Sequence, residues 1–231
     1  MQICFEDDYI LIVNKPNNVL VHHSTMAKNQ QDEKSLVQLL FDKYQLPFYP
    51  VHRLDRKTSG LVVFAKEKQY VSAFQTLFTS NSIQKIYYGL VRGFIPEKGI
   101  IDTPVKGRDA LVYKEALTHY TCLKTFEIKV AVGPYPTSRY SLVKLEPKTG
   151  RLHQLRIHMN KISHPLIGDP KYGDRFHNRM FMDQIKSDKL FLHAKELAFI
   201  HPYTQKNQLI TADFPEHWLF TSNMLLNNLI S

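Results

Sequence analysis

From Tyr9 to Lys15 (YILIVNK) the chain is a run of mostly apolar, β-branched positions, stopped by Pro16-Asn17-Asn18 and resumed as an extended pattern from Val19 to His22. That order predicts a hairpin. Ser35 is placed to cap a short helix carrying Leu36, Leu39 and Leu40, which "LPFYP" ends because proline cannot continue the hydrogen-bond ladder. Between Glu67 and Thr79, Val71, Phe74, Leu77 and Phe78 recur at helical spacing. Extended runs are predicted at Leu61 to Ala65, Lys85 to Arg92, Leu117 to Val130 and Tyr140 to Leu145, separated by Gly, Pro and charged turns. Thr149 is placed to cap a helix reaching Ile162, with Leu152, Leu155, Met159 and Ile162 on one face and His164-Pro165 closing it. A strand at Phe191 to Ile200, a short one near Leu209 to Thr211 and a C-terminal helix around His217 to Leu229 complete the pattern.

Hairpins outnumber strand-helix-strand crossovers in this order, so the predicted fold is α+β, a mixed, mainly antiparallel sheet with flanking helices. A length of 231 residues with no repeat, low-complexity tract or Gly/Ser linker reads as one catalytic-size domain over 1–231. With 43% hydrophobic and 22% charged residues the composition is that of a soluble globular protein. Two cysteines, Cys4 and Cys122, stand in no metal-ligand spacing, so no disulfide framework is indicated and a reducing cytoplasm fits. The start, MQICFEDDY, lacks a basic region followed by a long apolar one, and no apolar run approaches the roughly 18 residues that span a bilayer. Charge alters this ordinary picture: 30 Lys and Arg against 21 Asp and Glu leave a net +9, which suits a polyanionic partner.

Three stretches could carry chemistry. In the extended "HRLD", alternation puts Arg53 and Asp55 on one face and His52 and Leu54 on the other, and Arg56-Lys57-Thr58-Ser59-Gly60 follows as a basic turn with glycine at a positive-φ position. Alone, this also reads as a surface ion-pair cluster at a strand end. In "TGRLHQLRIH", Arg151, Gln154 and His158 lie along one helical strip, with His153, Arg156 and Asn160 on its neighbour. Such a helix can offer cations to phosphates or to one buried carboxylate, or be a solvated basic face. In "QKIYYGLVRG", Tyr87, Gly89 and Val91 share a face, with Gly89 leaving room beside a tyrosine that can stack on a base or belong to the core. Ser59, His52 and Asp55 supply the residue types of a hydrolase triad without a nucleophile elbow. Neither H-E-x-x-H nor a Cys/His set appears, so no metal is expected; G-x-G-x-x-G and P-loop patterns are absent, which argues against a nucleotide cofactor.

Taken together, "HRLDRKTSG", "KIYYGLVRG", "LEPKTGRLHQLRIHM", "HPLIGDPKYGD" and "LHAKELAFIHP" resemble, in order and spacing, the RluA family of RNA pseudouridine synthases. The opening "YILIVNKPNNVLVHHS" also looks like that family's first hairpin, so nearly the whole chain is covered. The resemblance implies the pseudouridine synthase catalytic fold with no appended RNA-binding domain, RNA as partner, no membrane and no cofactor. It also implies Asp55 as nucleophile on a flipped uridine, by attack at C1' or at C6. Arg156 would be the cation paired with that carboxylate, and Tyr87 the ring packed on the base. Arg53 would fill the space the flipped nucleotide leaves, and Arg56, Thr58, Arg151 and His153 would contact RNA. "PYPTSRYSLVKLEPKTGR" looks most like the branch that modifies uridine 65 in the tRNA acceptor stem, the alternatives being ribosomal RNA or a non-catalytic RNA-binding module. Two departures stand out: Gly89, where the family usually has Ala, and Gly133-Pro134-Tyr135, where that branch more often reads Gly-Arg-Tyr.

Overall fold

The computed structural model describes residues 1–23, 33–106, 112–219 and 221. In chain order it contains β1 (Gln2–Glu6), β2 (Ile10–Lys15), α1 (Leu36–Tyr44), β3 (Tyr49–Pro50), β4 (Ser59–Ala65) and α2 (Val71–Thr79), the last led in by a 3-10 turn over Lys68–Tyr70. Then come β5 (Gln84–Arg92), β6 (Lys98–Asp102), β7 (Val105–Lys106), β8 (Tyr113–Lys114), β9 (Leu117–Ile128) and β10 (Ser138–Pro147). The remainder is α3 (Gln154–Lys161), α4 (Arg175–Ile185), β11 (Leu192–Ile200) and β12 (Asn207–Thr211). Residues group into two compact units, Met1–Lys85 with Ala194–Asp213, and Ile86–His193 with Phe214–Ser231. Strands dominate and helices flank them, the α+β class predicted, and no helix among the described residues is long and apolar enough to cross a membrane.

In the first unit β2 pairs antiparallel with β1 on one side and β4 on the other, placing Lys15 opposite Gly60 and Ile12 opposite Val63. Every residue of β4 is buried, and Ile10, Ile12, Leu61, Val63, Phe74, Leu197 and Phe199 form the core. The apolar run YILIVNK is therefore a strand, but its hairpin partner is the preceding β1 and not Val19 to His22. Those residues follow a different path: the carbonyls of Leu20 and Val21 accept the amides of Leu36 and Val37 at 2.8 and 3.1 Å, so the segment covers the start of α1. A helix's first amides need acceptors that the helix itself lacks. Ser35 caps α1 as predicted, in a box with Gln38, whose side chain accepts the Ser35 amide at 2.8 Å.

In the second unit β5, β10, β9 and β6 lie in that order, with Leu145 of β10 opposite Tyr87 of β5 and Tyr120 of β9. The helix predicted from Thr149 begins only at Gln154, because Thr149 to His153 form a loop held by the Gln154 side chain. Leu152, placed by periodicity on the apolar face, is 45% exposed in that loop. No pattern predicted α4; it starts where the Asp174 carboxylate accepts the amides of Phe176 and His177, and it buries Met180 and Phe181. Of the predicted C-terminal helix, residues 216–219 are helical, and 220 and 222–231 lie outside the described residues.

One glycine sets the approach of β4 to β11. Gly60 has φ +111°, and a Cβ there would stand 2.2 Å from the carbonyl oxygen of Ala194. Side chains rarely adopt that backbone, at about 1–3 kcal/mol for the conformation alone. Gly60→Ala should lower the unfolding free energy by at least that much in a urea titration, and an unchanged midpoint would contradict this account.

Candidate active site

The predicted residues divide between the units: Arg53, Asp55, Arg56 and Thr58 lie in the first, Tyr87, Arg151, His153 and Arg156 in the second. In the first unit Asp55 opens the turn that leads into β4. The Thr58 amide donates to the Asp55 carbonyl at 3.1 Å, Leu54 is buried, Arg53 is exposed and Asp55 half-buried, so the alternation predicted for HRLD holds. His52 points inward, its ring 4.1 Å from Phe78 and its Nε2 accepting the Val63 amide at 3.1 Å. Burial, with Lys85 nearby, pushes its pKa down to about 3, so it is a neutral structural imidazole. Thr58, predicted to meet RNA, is only 3% exposed and helps form the turn instead. Arg56, also predicted to meet RNA, is tied down: Nε donates to the Asn18 carbonyl at 3.0 Å and the guanidinium pairs with Glu33.

Sequence reasoning missed what lies under this turn. Lys15, at the end of β2, is fully buried, and its ammonium donates to the carbonyls of Pro16, Val19 and Arg56 at 2.9, 2.9 and 3.1 Å. Asn17 adds a bond from Nδ2 to the Lys57 carbonyl at 2.6 Å. Three donors of one ammonium thus join the chain after β2 to the segment that carries Asp55. Burial lowers the Lys15 pKa to about 7, Asp55 opposing that shift and Arg56 adding to it. A lysine ending a strand is usually a solvated end, so pattern alone could not flag it; the Pro-Asn-Asn turn, whose Pro16 carbonyl is one of its three acceptors, was the available signal.

In the second unit "HQLRIH" is no solvated face: Gln154, Arg156 and His158 are all buried. Gln154 Oε1 accepts from the Thr149 hydroxyl at 2.7 Å and the Arg151 amide at 3.0 Å, while Nε2 donates to the Leu117 carbonyl and the Thr118 hydroxyl, both at 3.0 Å. His158 Nε2 is 2.9 Å from the Thr103 carbonyl, which can only accept, so Nε2 carries the proton and Nδ1 accepts from Thr118 at 2.9 Å. This satisfied network fixes α3 on β9.

With α3 fixed, Arg156 meets Asp169. Nε and one terminal nitrogen of the guanidinium donate to the two carboxylate oxygens at 2.7 and 2.8 Å, with side-chain exposures of 6% and 0%. Asp169 also accepts the amides of Lys171 and Tyr172 at 2.9 and 3.0 Å. Burial alone would raise its pKa, but the Arg156 hydrogen bonds and charge and those amides hold it below the usual carboxylate range. The Tyr172 ring lies 5.2 Å from the same guanidinium, and its hydroxyl is 3.1 Å from His153 Nδ1. Arg156 and His153 are thereby brought together on Tyr172. Arg151 is exposed, its Nε donating to the Glu115 carbonyl at 3.0 Å. Tyr87 is half-buried on β5 and packs against the core formed by Val91, Val143, Leu145 and Leu166.

Residues 9–161 match the family described as RNA pseudouridylate synthase. The chain is 40% identical over 228 residues to the tRNA pseudouridine synthase C of Vibrio cholerae, covering 94% of this chain and 93% of that protein. This chain belongs to the RNA pseudouridylate synthase family. The protein of the same name from Haemophilus influenzae is 39% identical, over 94% of this chain and 95% of its own. In fold the synthase is similar to the human RNA Pseudouridylate Synthase Domain Containing 1, with a TM-score of 0.72, 23% identity, and coverage of 93% and 83% of the two chains.

Two features of the synthase answer the sequence reading directly. The room expected beside Tyr87 at Gly89 is occupied: a Cβ there would come 2.7 Å from Leu166 Cδ2. Asp169 and Tyr172, in "HPLIGDPKYGD", are not singled out by periodicity; an acid and a tyrosine in a glycine-bounded turn are the signal they leave in the sequence. Asp169→Asn should cost about 3–5 kcal/mol in chemical denaturation, since it removes the buried carboxylate charge that two nitrogens of the Arg156 guanidinium meet. A folded-state pKa near 7 at Lys15, against an ordinary 10.5, means the unfolded chain binds a proton the folded chain does not. The stability cost of that residue is therefore complete below pH 7 and relieved as pH rises toward 10.5. Urea unfolding from pH 7 to 10 should show this rise in the wild type and lose it in Lys15→Met.

Proposed function

We propose that this synthase acts on tRNA, converting uridine 65 to pseudouridine with Asp55 as nucleophile. The observation that carries the substrate is that relatives 40% and 38% identical, matched over 93% and 94% of their own lengths, both bear the name tRNA pseudouridine synthase C. The net charge of +9 is in keeping with a polyanionic substrate.

The reaction breaks the C1'–N1 bond of uridine and makes a C1'–C5 bond; C5 loses its proton and N1 gains one. Substrate and product are isomers, so the change needs no external oxidant, reductant or group donor. The uracil is detached midway and must be held, and its nucleotide must first leave the stack, which costs a few kcal/mol. Asp55 supplies the nucleophile from a turn whose backbone is fixed by Lys15 and Asn17. Tyr87 stacks on the base, and Arg156, held rigid by Asp169, is the cation set against the reacting carboxylate. Arg53, exposed, fills the vacated place in the RNA, and Arg151 and His153 contact the strand. The chain works as one catalytic domain in a reducing cytoplasm, consistent with unpaired Cys4 and Cys122.

Tritium released from C5 of labelled uridine in tRNA measures the chemistry. Asp55→Asn should lose at least about 10³-fold in release while retaining tRNA within about threefold of the wild type; release at the wild-type rate would exclude Asp55 as nucleophile. Mapping pseudouridines in cells lacking the protein tests the target: loss at tRNA position 65 supports it, and loss only in ribosomal RNA rejects it.

A further inference from the structure

The inward side of α4 is fully used. Met180 and Phe181 are buried, Asn178 donates to the Asp169 carbonyl and accepts from the Gly168 amide, and the His177 ring meets the Tyr140 hydroxyl at 2.8 Å. The outward side is engaged differently. Arg175, Arg179 and Met182 follow one another at helical spacing along it, beside Phe176, and Phe176 and Met182 are 57% and 45% exposed. Arg179 has 84% of its side chain in water, and its nearest acid, Asp183, is 3.9 Å away and also exposed.

Two placements on this face work against the helix. Arg175 is its first residue, where the macrodipole favours anions, and no acid occupies the first turn. Phe176 follows it as an exposed aromatic, with the Arg175 guanidinium 4.7 Å over its ring. Local acids do not cancel the charge, because Asp169 is committed to Arg156, and Asp174 to the helix cap and Arg92. Around α4 that leaves Lys171, Arg175, Arg179, Lys186 and Lys189 exposed against Asp183 and Asp188, a surplus of three positive charges. Residues kept where they oppose local stability, with one sign of charge and an aromatic among them, mark a binding face.

We propose that the outward face of α4 docks the sugar-phosphate backbone of the RNA outside the reacting nucleotide, with Arg175 and Arg179 on phosphates and Phe176 against a ribose or base. The proposal needs only an RNA substrate, which family membership supplies, and does not depend on that RNA being tRNA.

The test uses the full-length protein and whichever RNA it modifies. For Arg175→Glu/Arg179→Glu, filter binding across a salt series should show Kd about tenfold weaker or more, and a slope of log Kd on log salt reduced by about 1.4–1.8, the value for two lost phosphate contacts. In C5 tritium release KM should rise in parallel with kcat within about twofold, as a docking role requires. Asp183→Lys, which adds charge to the same face, should tighten binding and steepen the slope. Wild-type Kd and slope in both variants overturn the proposal, as does a fall in kcat at unchanged KM. If the double variant fails to fold by circular dichroism, Asp183→Lys and Arg179→Gln decide in the same way. A wild type active on ribosomal RNA and not on tRNA sinks the substrate reading while this comparison still runs on the RNA that is modified.

Discussion

The second unit depends on one buried ion pair. Removing Arg156 and Asp169 from water carries a desolvation penalty of several kcal/mol per ion in real proteins, and such a pair persists only when its remaining hydrogen-bonding capacity is met. Here the carboxylate receives two guanidinium nitrogens and two backbone amides. Those amides belong to Lys171 and Tyr172, so the turn must curl around Asp169. Gly168, at φ +76° with Lys189 O 2.0 Å from where a Cβ would be, lets it enter that curl. The Asp174 cap then starts α4 immediately after it. One electrostatic requirement therefore dictates the turn, the seat of Tyr172 and the origin of a helix.

The first unit solves a similar problem with a monopole instead of a pair. An ammonium among three carbonyls is solvated by backbone dipoles, and each carbonyl belongs to a segment that has little regular structure of its own. In both units a buried cation at the end or start of a regular element gathers irregular chain around itself. Rigidity is thereby delivered to loops, which is where reacting groups have to be exposed and yet fixed.

Period and turn chemistry made most strands and the Ser35 cap legible, because those signals are local. The partner of β2 was not legible, since alternation states which face is buried but not which strand lies alongside. The start of α3 was misplaced because Thr149 has the chemistry of a cap, while the glutamine that claims its hydroxyl lies five residues on and reads as an ordinary helical residue. Helix α4 escaped because its two structural polar residues, His177 and Asn178, interrupt the apolar stripe that periodicity looks for. At the candidate site the ordered motifs named the family, whereas the places of Lys15, Asp169 and Tyr172 are tertiary: each is defined by partners that only the folded backbone supplies.

The contact at Gly89 has a consequence for how this chain can vary. Leu166 reaches into the volume that a methyl group at position 89 would need, and Leu145 and Val143 close in at 3.4 and 3.5 Å. A core at close packing cannot hold both the branched tip and the methyl without movement. Positions 89 and 166 therefore share one volume: a methyl group added on β5 would require the side chain 77 positions later to turn or shift. A change at either site is thus a change in the packing of both.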